Sequence, residues 1–174
     1  LPICLTELAA NRARVAIIHS GSMQDRIPEF NFGDSELFYF PVPDGEEGKS
    51  VSTLEKLWSW LGAAGFTRSD LIIGIGGGAV TDLSGFAAAT WLRGIDWVAV
   101  PTTVAGAVDA AVGGKTGINS DYGKNLIGAF HSPRAVLIDY SWFTTLSNRD
   151  FAAGLAEVIK CGFIADPRIL ELTH

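Results

Sequence analysis

Apolar positions along the chain fall into two patterns, which indicate strands and helices. Short apolar runs that end in turn residues are typical of buried strands, and they predict strands at residues 14–19, 36–40, 71–75, 95–100 and 135–139. In residues 50–64 the apolar side chains recur at helical spacing on one face, and Gly65 ends the segment. An alanine-rich run predicts a second, buried helix at residues 79–92.

Capping residues predict three further helices, and one segment predicts a loop. Thr102 or Thr103 would cap a helix that runs to about residue 112. Ser147 and Asp150 resemble a capping box for a helix at residues 148–164, and Asp166-Pro167 begins another helix. Residues 113–127, which are rich in Gly, Lys and Asn, are predicted to form a long loop.

The order of these elements predicts the fold class. Strands alternate with helices, and the strands are apolar on both faces, which is typical of a parallel α/β sheet with helices on both faces. We expect a Rossmann-like nucleotide-binding domain over residues 1–146 and the first helices of a second, helical domain over residues 147–174. Because the chain begins with Leu1 and stops at the start of a helix, we expect the native protein to extend beyond both ends.

Composition and charge narrow the range of partners. Of the 174 residues, 48% are hydrophobic, which supplies a buried core, and 18% are charged, against about 25% in an average domain. The formal net charge of −6 disfavours nucleic acid, whose partners carry a basic surface. No apolar run reaches the roughly 18 residues that cross a bilayer, so no membrane partner is expected. Cys4 and Cys161 match neither a zinc motif nor a disulfide framework, and we expect reduced thiols in a cytoplasmic protein.

A glycine-rich turn is the first candidate for chemistry. The run Gly74-Ile75-Gly76-Gly77-Gly78-Ala79 follows a predicted strand and opens a predicted helix. Backbone amides in such a turn can approach a phosphate at the helix N-terminus. The run has the form of the G-x-G-x-x-A dinucleotide fingerprint, but Asp96, the nearest candidate for its acidic residue, stands at the start of the next strand instead of its end. The pattern favours a phosphate-binding turn over a packing turn, which stays open as the alternative.

Polar residues after this turn are further candidates for a site. A buried carboxylate such as Asp82 needs a partner or a ligand, although a cap or an ion pair would also serve. Lysines and an asparagine in one glycine-rich segment suit an anionic ligand. Glu157 and Lys160 are neighbours on one helical face, where a simple ion pair is the alternative. Solvated charges are the other interpretation of the whole set, which comprises Arg93, Asp109, Lys115, Lys124, Asn125, Glu157 and Lys160.

Six segments of the chain follow one another in a distinctive order and spacing. They are Gly76-Gly77-Gly78-Ala79-Val80-Thr81-Asp82-Leu83-Ser84-Gly85-Phe86, Leu92-Arg93-Gly94, Pro101-Thr102-Thr103, Val108-Asp109-Ala110-Ala111-Val112-Gly113-Gly114-Lys115-Thr116-Gly117-Ile118-Asn119, Gly123-Lys124-Asn125-Leu126-Ile127-Gly128-Ala129-Phe130 and Gly154-Leu155-Ala156-Glu157-Val158-Ile159-Lys160. In this series the chain resembles the N-terminal, NAD-binding part of the 3-dehydroquinate synthase family, in the sugar phosphate cyclase superfamily. The similarity is strong from about residue 43 to residue 167 and faint before that.

The resemblance implies an enzyme of the shikimate pathway, which leads to the aromatic amino acids. Such lyases convert 3-deoxy-D-arabino-heptulosonate 7-phosphate, a phosphorylated sugar acid, to 3-dehydroquinate and release phosphate. NAD oxidises a hydroxyl so that phosphate can leave by elimination, the hydride returns, and an intramolecular aldol closes the ring. A divalent metal, usually zinc and in some cases cobalt, polarises the hydroxyls. A cytoplasmic homodimer is also implied.

The resemblance assigns roles by position. Glu157 resembles the carboxylate ligand of the metal, and the other ligands would be histidines after residue 174, so we expect these 174 residues alone to be inactive. The residues that resemble the substrate and catalytic set are Arg93, Asp109, Lys115, Asn125 and Lys160. Those that resemble the NAD set are Asp44, Glu46, Lys49, Gly76, Gly77, Gly78, Asp82, Thr102, Thr103, Lys124 and Thr145.

Three other functions are weighed against this one. Another sugar phosphate cyclase would act on a different seven-carbon sugar or on glucose 6-phosphate. Iron-dependent alcohol and glycerol dehydrogenases share the fold, but they have Gly-Gly-Gly-Ser and Asp-x-Ala-Lys where this chain has Gly78-Ala79 and Asp82-Leu83-Ser84-Gly85. A nucleotide-binding module without chemistry would not need Lys115 together with the pair Glu157 and Lys160.

Overall fold

A five-stranded parallel sheet lies at the centre of the fold. The computed structural model describes residues 1–173. The strands of the sheet are β1 (Arg14–Ser20), β2 (Glu36–Val42), β3 (Leu71–Gly76), β4 (Asp96–Pro101) and β7 (Ala135–Val136), and a separate antiparallel hairpin consists of β5 (Lys115–Ser120) and β6 (Gly123–Phe130). The helices are α1 (Pro2–Ala9), α2 (Val51–Ala63), α3 (Gly78–Thr90), α4 (Asn148–Ile164) and α5 (Arg168–Leu172).

The strand order of the sheet determines where a ligand can bind. It is β2-β1-β3-β4-β7, and all four neighbouring pairs are parallel. From β1 the chain first winds outward to β2 and then reverses direction to β3, which makes the sheet doubly wound. In such sheets a ligand crevice forms outside the carboxyl ends of the strands at the point of reversal. Here that point is between Ser20, at the end of β1, and the glycine turn after β3.

Two apolar layers cover the two faces of the sheet. On one face, Leu57 and Leu61 of α2 and Leu83 of α3 are fully buried against β1, β3 and β4. On the other face, Leu5 of α1 and Trp142 pack over the same strands. The three central strands, β1, β3 and β4, therefore bury side chains in both directions, as their continuous apolar runs predicted. The predicted parallel α/β sheet with helices on both faces is confirmed.

The predicted loop at residues 113–127 is wrong, because most of it lies in the hairpin of β5 and β6. Only the inner side of the hairpin is apolar: Thr116 and Ile118 are buried, with the hairpin resting on α3, while nearly all of β6 is exposed. A single buried hydrophobic residue in the whole hairpin gives almost no alternation to detect. The predicted strand at residues 135–139 is shorter than expected, and α1 was not predicted.

The segment after β4 forms a wide helical turn. Thr103 is the capping residue, since its Oγ1 accepts a hydrogen bond from Gly106 N at 3.1 Å. Residues Gly106–Ala110 then adopt π-helical geometry, in which Ala111 N donates to Gly106 O at 2.9 Å. Such turns are frequent at functional sites. The predicted helix therefore exists, but its wider winding changes which side chains face the sheet.

The second helical segment begins where the capping box predicted. Ser147 Oγ accepts a hydrogen bond from Asp150 N at 3.1 Å, and α4 follows. Gly154 lets α4 lie against the wide turn, because a Cβ there would stand 2.6 Å from Val104 Cβ. No helix within residues 1–173 is both long and apolar enough to span a bilayer. The proposed domain boundary after residue 146 stays a prediction.

We expect Gly85→Ala to destabilise the fold by about 1–3 kcal/mol through overpacking. Its Cβ would lie 2.4 Å from Thr116 Cγ2 and 2.7 Å from Trp97 Cζ2, where α3 meets β4 and β5. The control is Gly62→Ala in α2, whose Cβ would meet Trp91 at 3.3 Å. The control gains helix propensity of roughly 1 kcal/mol and should be neutral or stabilising. Urea unfolding of the intact protein measures both, and equal stability of the two variants would contradict this packing.

Candidate functional site

A cleft of about 380 Å³ lies between α3, the wide turn and the hairpin. Each of these three elements contributes a residue that the sequence singled out: Asp82 from α3, Asp109 from the wide turn, and Lys115 and Asn125 from the hairpin. Leu126, Ala129 and Phe130 are among the residues that line the rest. The structure thus brings together polar residues that are up to 43 positions apart in the sequence (82 to 125).

A buried lysine stands behind this cleft. Lys49 is only 2% exposed, and its Nζ lies 2.6 Å from Asp82 Oδ2 and contacts Asn125 Oδ1. It follows a tight 3-10 turn, Gly45–Gly48, in which Gly48 is required because a Cβ would stand 2.5 Å from Pro43 O. The ammonium therefore links the predicted NAD residue Asp82 to the predicted substrate residue Asn125.

Burial dominates the electrostatics of Asp82. Desolvation raises the pKa of its carboxyl above the ordinary 3.8, and the hydrogen bond and charge of Lys49 act in the opposite direction. The folded protein therefore binds this proton more tightly than the unfolded chain does. By itself, this carboxyl makes the free energy of unfolding fall as the pH rises from about 3.8 through the folded-state pKa.

A second charged cluster stands at the mouth of the cleft. Asp109 Oδ1 lies 3.5 Å from Lys115 Nζ and 3.7 Å from Lys160 Nζ. Lys160 also forms an ion pair with Glu157, one turn earlier on α4, and this hydrogen bond raises the pKa of the ammonium. The i,i+3 pair that the sequence allowed is present, and the network extends it to the hairpin. Both lysines stay about half exposed and are free to meet an anion.

The described residues do not complete a metal site. Within residues 1–173 no three His, Cys, Asp or Glu side chains converge in a way that could hold an ion. Glu157 offers one carboxylate, and that carboxylate is occupied by the Lys160 ammonium. A zinc ion takes three or four protein ligands, so Glu157 alone does not suffice.

The glycine turn after β3 serves close packing. A Cβ on Gly77 would stand 3.2 Å from Thr103 Cγ2, and a Cβ on Gly78 would stand 3.0 Å from Ala110 Cβ. A Cβ on Gly76 would overlap Val80 at 2.6 Å. The wide turn can therefore lie directly against the start of α3. These glycines do serve close packing, which was the alternative interpretation of the turn.

The same turn also presents free amides to an anion. In the described part of the chain, the N–H groups of Gly78 and Ala79 have no hydrogen-bond acceptor, and they lie at the positive end of a 13-residue helix. Gly106 keeps the approach open, because a Cβ there would be 3.3 Å from Gly78 N. Thr102 is buried beside the turn and its N–H donates to Gly76 O at 2.9 Å. These features fit a bound phosphate or pyrophosphate.

Two carboxylates of the predicted NAD set, Asp44 and Glu46, lie near the point of reversal of the sheet. Asp44 Oδ1 accepts hydrogen bonds from Ser22 Oγ at 2.9 Å and from Ser22 N at 3.3 Å, which ties the end of β2 to the loop after β1. Glu46 Oε2 accepts from Asn119 Nδ2 at 2.8 Å. Asp96, by contrast, pairs with Arg12 at 2.5 Å at the opposite edge of the sheet, so it does not serve as the acid of a dinucleotide fingerprint.

Three predicted residues neither line the cleft nor join the hydrogen bonds and ion pairs described around it. Arg93 is exposed in the turn after α3 with a φ of 69°. The 13 residues of α3 span about 20 Å, so Arg93 lies at the far end from the glycine turn. Lys124 is exposed on β6 and forms no ion pair among the described residues, and Thr145 Oγ1 donates to Trp142 O at 2.7 Å in a surface turn. Their roles stay predictions.

Asn119 is the polar residue that the sequence analysis missed. It bonds to Glu46 and also accepts the N–H of Asn125 at 3.0 Å. It ends the segment from Val108 that carries the family resemblance, but nothing in its local sequence indicates a partner 73 positions away.

The chain is similar to known proteins over most of its length. The family model described as 3-dehydroquinate synthase N-terminal matches residues 39–153. A curated 3-dehydroquinate synthase from Thermobifida fusca is 53% identical over 98% of this chain and 48% of its own length. The chain spans about half the length of the curated relatives it matches.

Solved structures of two related cyclases superpose on the chain. A 2-epi-5-epi-valiolone synthase from Streptomyces hygroscopicus, solved with NAD⁺ and Zn²⁺, has a TM-score of 0.84 and 28% identity over 95% of this chain and 48% of its own. A 2-deoxy-scyllo-inosose synthase, solved with carbaglucose-6-phosphate, NAD⁺ and Co²⁺, has a TM-score of 0.80 and 30% identity over 86% of this chain and 42% of its own.

The doubly wound sheet, the glycine turn and the lysine-rimmed cleft define a Rossmann-like α/β domain of the sugar phosphate cyclase type. With two thirds of its residues matched by the family model, the chain belongs to the 3-dehydroquinate synthase family.

We expect Lys49→Met to raise the pKa of Asp82 further, because the desolvation remains while the opposing hydrogen bond and charge are removed. Carboxyl ¹³C NMR titration of the intact protein measures this pKa. Lys56→Met, which changes an exposed lysine of α2, is the control and should leave it in place. An unchanged or lower Asp82 pKa in Lys49→Met would show that Lys49 does not stabilise this carboxylate.

Proposed function

We propose that this chain is part of a 3-dehydroquinate synthase, which converts 3-deoxy-D-arabino-heptulosonate 7-phosphate to 3-dehydroquinate and phosphate. The observation that carries the proposal is the convergence of Asp82, Asp109, Lys115 and Asn125 in one cleft, with the buried Lys49 behind it, paired with Asp82. Identity of about 50% to curated synthases over nearly the whole chain supports the choice of substrate.

The charges at the mouth of the cleft suit this substrate. A phosphorylated sugar acid carries a carboxylate and a phosphate, and Lys115 and Lys160 offer two ammonium groups about half exposed to solvent. Asp109 holds both ammoniums in position by charge attraction, so an arriving anion meets lysines that are already oriented. Asn125 adds an amide that can bond a sugar hydroxyl. The elimination of phosphate increases negative charge at the leaving group, which the lysines would stabilise.

The surroundings of the cleft fit NAD. When bound, NAD supplies the transient oxidation that makes phosphate elimination possible. The free amides of Gly78 and Ala79 would bind its pyrophosphate at the start of α3. Asp44 and Glu46 would accept hydrogen bonds from ribose hydroxyls, and the charge of Lys49 would favour the ionised form of Asp82 in the same site. Thr103 caps the wide turn and packs beside Gly77, so it would hold the wide turn against the glycine turn.

A divalent metal is part of the proposal, with zinc favoured and cobalt as the alternative. Glu157 would be its ligand from this chain, and further ligands would have to come from outside the described residues. Lys160 would then have to release the Glu157 carboxylate and remain paired with Asp109. A homodimer and a cytoplasmic location complete the proposal, and the family resemblance supports them.

A second cyclase reaction is the main alternative, since two structural relatives are inosose and valiolone synthases. Phosphate release by the intact protein decides between them when it is measured with the heptulosonate phosphate, with glucose 6-phosphate and with other seven-carbon sugar phosphates. We expect release from the heptulosonate phosphate alone. NAD-linked oxidation of glycerol or a simple alcohol, without phosphate release, would instead indicate a dehydrogenase.

We expect Lys115→Ala to lower kcat/KM for the heptulosonate phosphate by about a hundredfold or more, as the loss of one electrostatic donor does. The control, Lys56→Ala, removes an exposed lysine of α2 that lies outside the proposed site and should leave kcat/KM unchanged. Stability of both variants should change by less than about 0.5 kcal/mol, since both sites are at the surface. Normal turnover in Lys115→Ala would refute the substrate role of this lysine.

We expect Glu46→Ala to weaken NAD binding about tenfold, through the loss of a charged hydrogen-bond acceptor for ribose. Glu47→Ala is the matched control, because Glu47 is its exposed neighbour and has no side-chain hydrogen bond among the described residues. Calorimetric titration of the intact protein with NAD measures both. Equal affinities for the two variants would remove Glu46 from the NAD site.

A further inference from the structure

Asn119 occupies an irregular position in the hairpin. The ladder of β5 and β6 pairs Ile118 with Ile127 and Ser120 with Gly123, and its register shifts between them, at Asn119. Over this interval β5 contributes only Asn119 while β6 contributes residues 124–126, so the extra residues of the bulge lie in β6, opposite Asn119. The backbone N–H of Asn119 donates outside the hairpin, to Lys49 O at 2.8 Å.

The side chain of Asn119 forms two further hydrogen bonds. Its Nδ2 donates to Glu46 Oε2 at 2.8 Å, and its Oδ1 accepts from Asn125 N at 3.0 Å. A carboxylate can only accept and a backbone N–H can only donate, so a single orientation of the amide satisfies both partners. With the bond to Lys49 O, one residue therefore contacts three members of the proposed NAD and substrate sets.

Asn125 is the partner that most needs this support. Its φ is 58°, in the left-handed region that costs most residues about 1–2 kcal/mol and that asparagine tolerates better than most. Its amide is held by Asn119 and its side chain by the ammonium of Lys49. Its side chain lines the cleft, so the two contacts together determine where that side chain stands.

We propose that Asn119 is a positioning residue that links the NAD side of the site to the substrate side. It holds the turn of Glu46 and Lys49 and the backbone of Asn125 in one arrangement, so that both ligands meet a preformed surface. The proposal rests on the proposed function for the identity of the ligands. If Asn119 only stabilised the hairpin, its variants would lower stability and would change the binding of NAD and of substrate to the same extent.

Three variants of the intact protein separate these roles. Asn119→Ala removes both side-chain bonds. Asn119→Asp keeps the acceptor for Asn125 N but replaces the donor to Glu46 with a second carboxylate oxygen. Combining Asn119→Asp with Glu46→Gln restores a donor and an acceptor in the reverse direction. Asn148→Ala, at the exposed start of α4, is the control for loss of an asparagine side chain.

We expect Asn119→Ala to raise the KM for the heptulosonate phosphate and the Kd for NAD each about tenfold, with a much smaller change in kcat. At saturating NAD, Asn119→Asp should keep the substrate KM within about threefold while the Kd for NAD rises about tenfold. The double variant should return the NAD Kd to that of Glu46→Gln alone. Hydrogen exchange at the Asn125 amide should accelerate in Asn119→Ala and stay slow in Asn119→Asp.

Unchanged KM and Kd in Asn119→Ala would overturn the proposal, as would equal increases in substrate KM for Asn119→Ala and Asn119→Asp. If Asn119→Ala does not fold, the NAD affinities of Asn119→Asp and of the double variant decide, and a lack of recovery in the double variant counts against the proposal. If the unsubstituted protein releases no phosphate from any substrate tested, the proposed function is wrong. In that case the NAD titrations and the exchange of the Asn125 amide still decide the role of Asn119.

Discussion

The buried ammonium of Lys49 is the interaction on which the site depends. It lies between Asp82 of α3 and Asn125 of the hairpin, and its own backbone carbonyl receives the N–H of Asn119. Removing one member of a buried pair leaves the other charge without compensation and costs about 3–5 kcal/mol. The turn before α2, the start of α3 and the hairpin are thereby fixed relative to one another by a single side chain.

Close packing at three glycines also holds these elements together. Gly78 lets the wide turn lie against α3, Gly85 lets the hairpin lie against α3, and Gly154 lets α4 lie against the wide turn. The wide turn and the hairpin, which form the cleft together with α3, therefore pack directly on α3, and α4 packs on the wide turn. Lys160 reaches Asp109 for this reason and pairs with Glu157 on the same helix, although α4 follows the sheet in the sequence.

The sheet and its layers could be predicted from the sequence because β1, β3 and β4 are apolar in both directions. The hairpin could not, because Ile118 is its only fully buried apolar side chain and the glycine and lysine content of the segment is typical of a loop. Motif order indicated the cleft residues Asp109, Lys115 and Asn125. Local pattern gave no sign that Lys49, in an acidic turn, would be almost completely buried, since lysine is rarely so without a partner. Asn119 was missed because its role arises only from contacts between distant segments.

The π-helical winding of Gly106–Ala110 has a consequence for how this site can vary among proteins. A π turn holds about one residue more than an α turn, so deleting one residue from the segment would let it close as an α-helix. The residues after the deletion would rotate by about 100° around the helix axis. Asp109 would then turn away from the two lysines while the cap at Thr103 stayed in place. A substitution removes one charge of this site at a time, but a change of chain length in these five residues would disrupt the whole charge arrangement in one step.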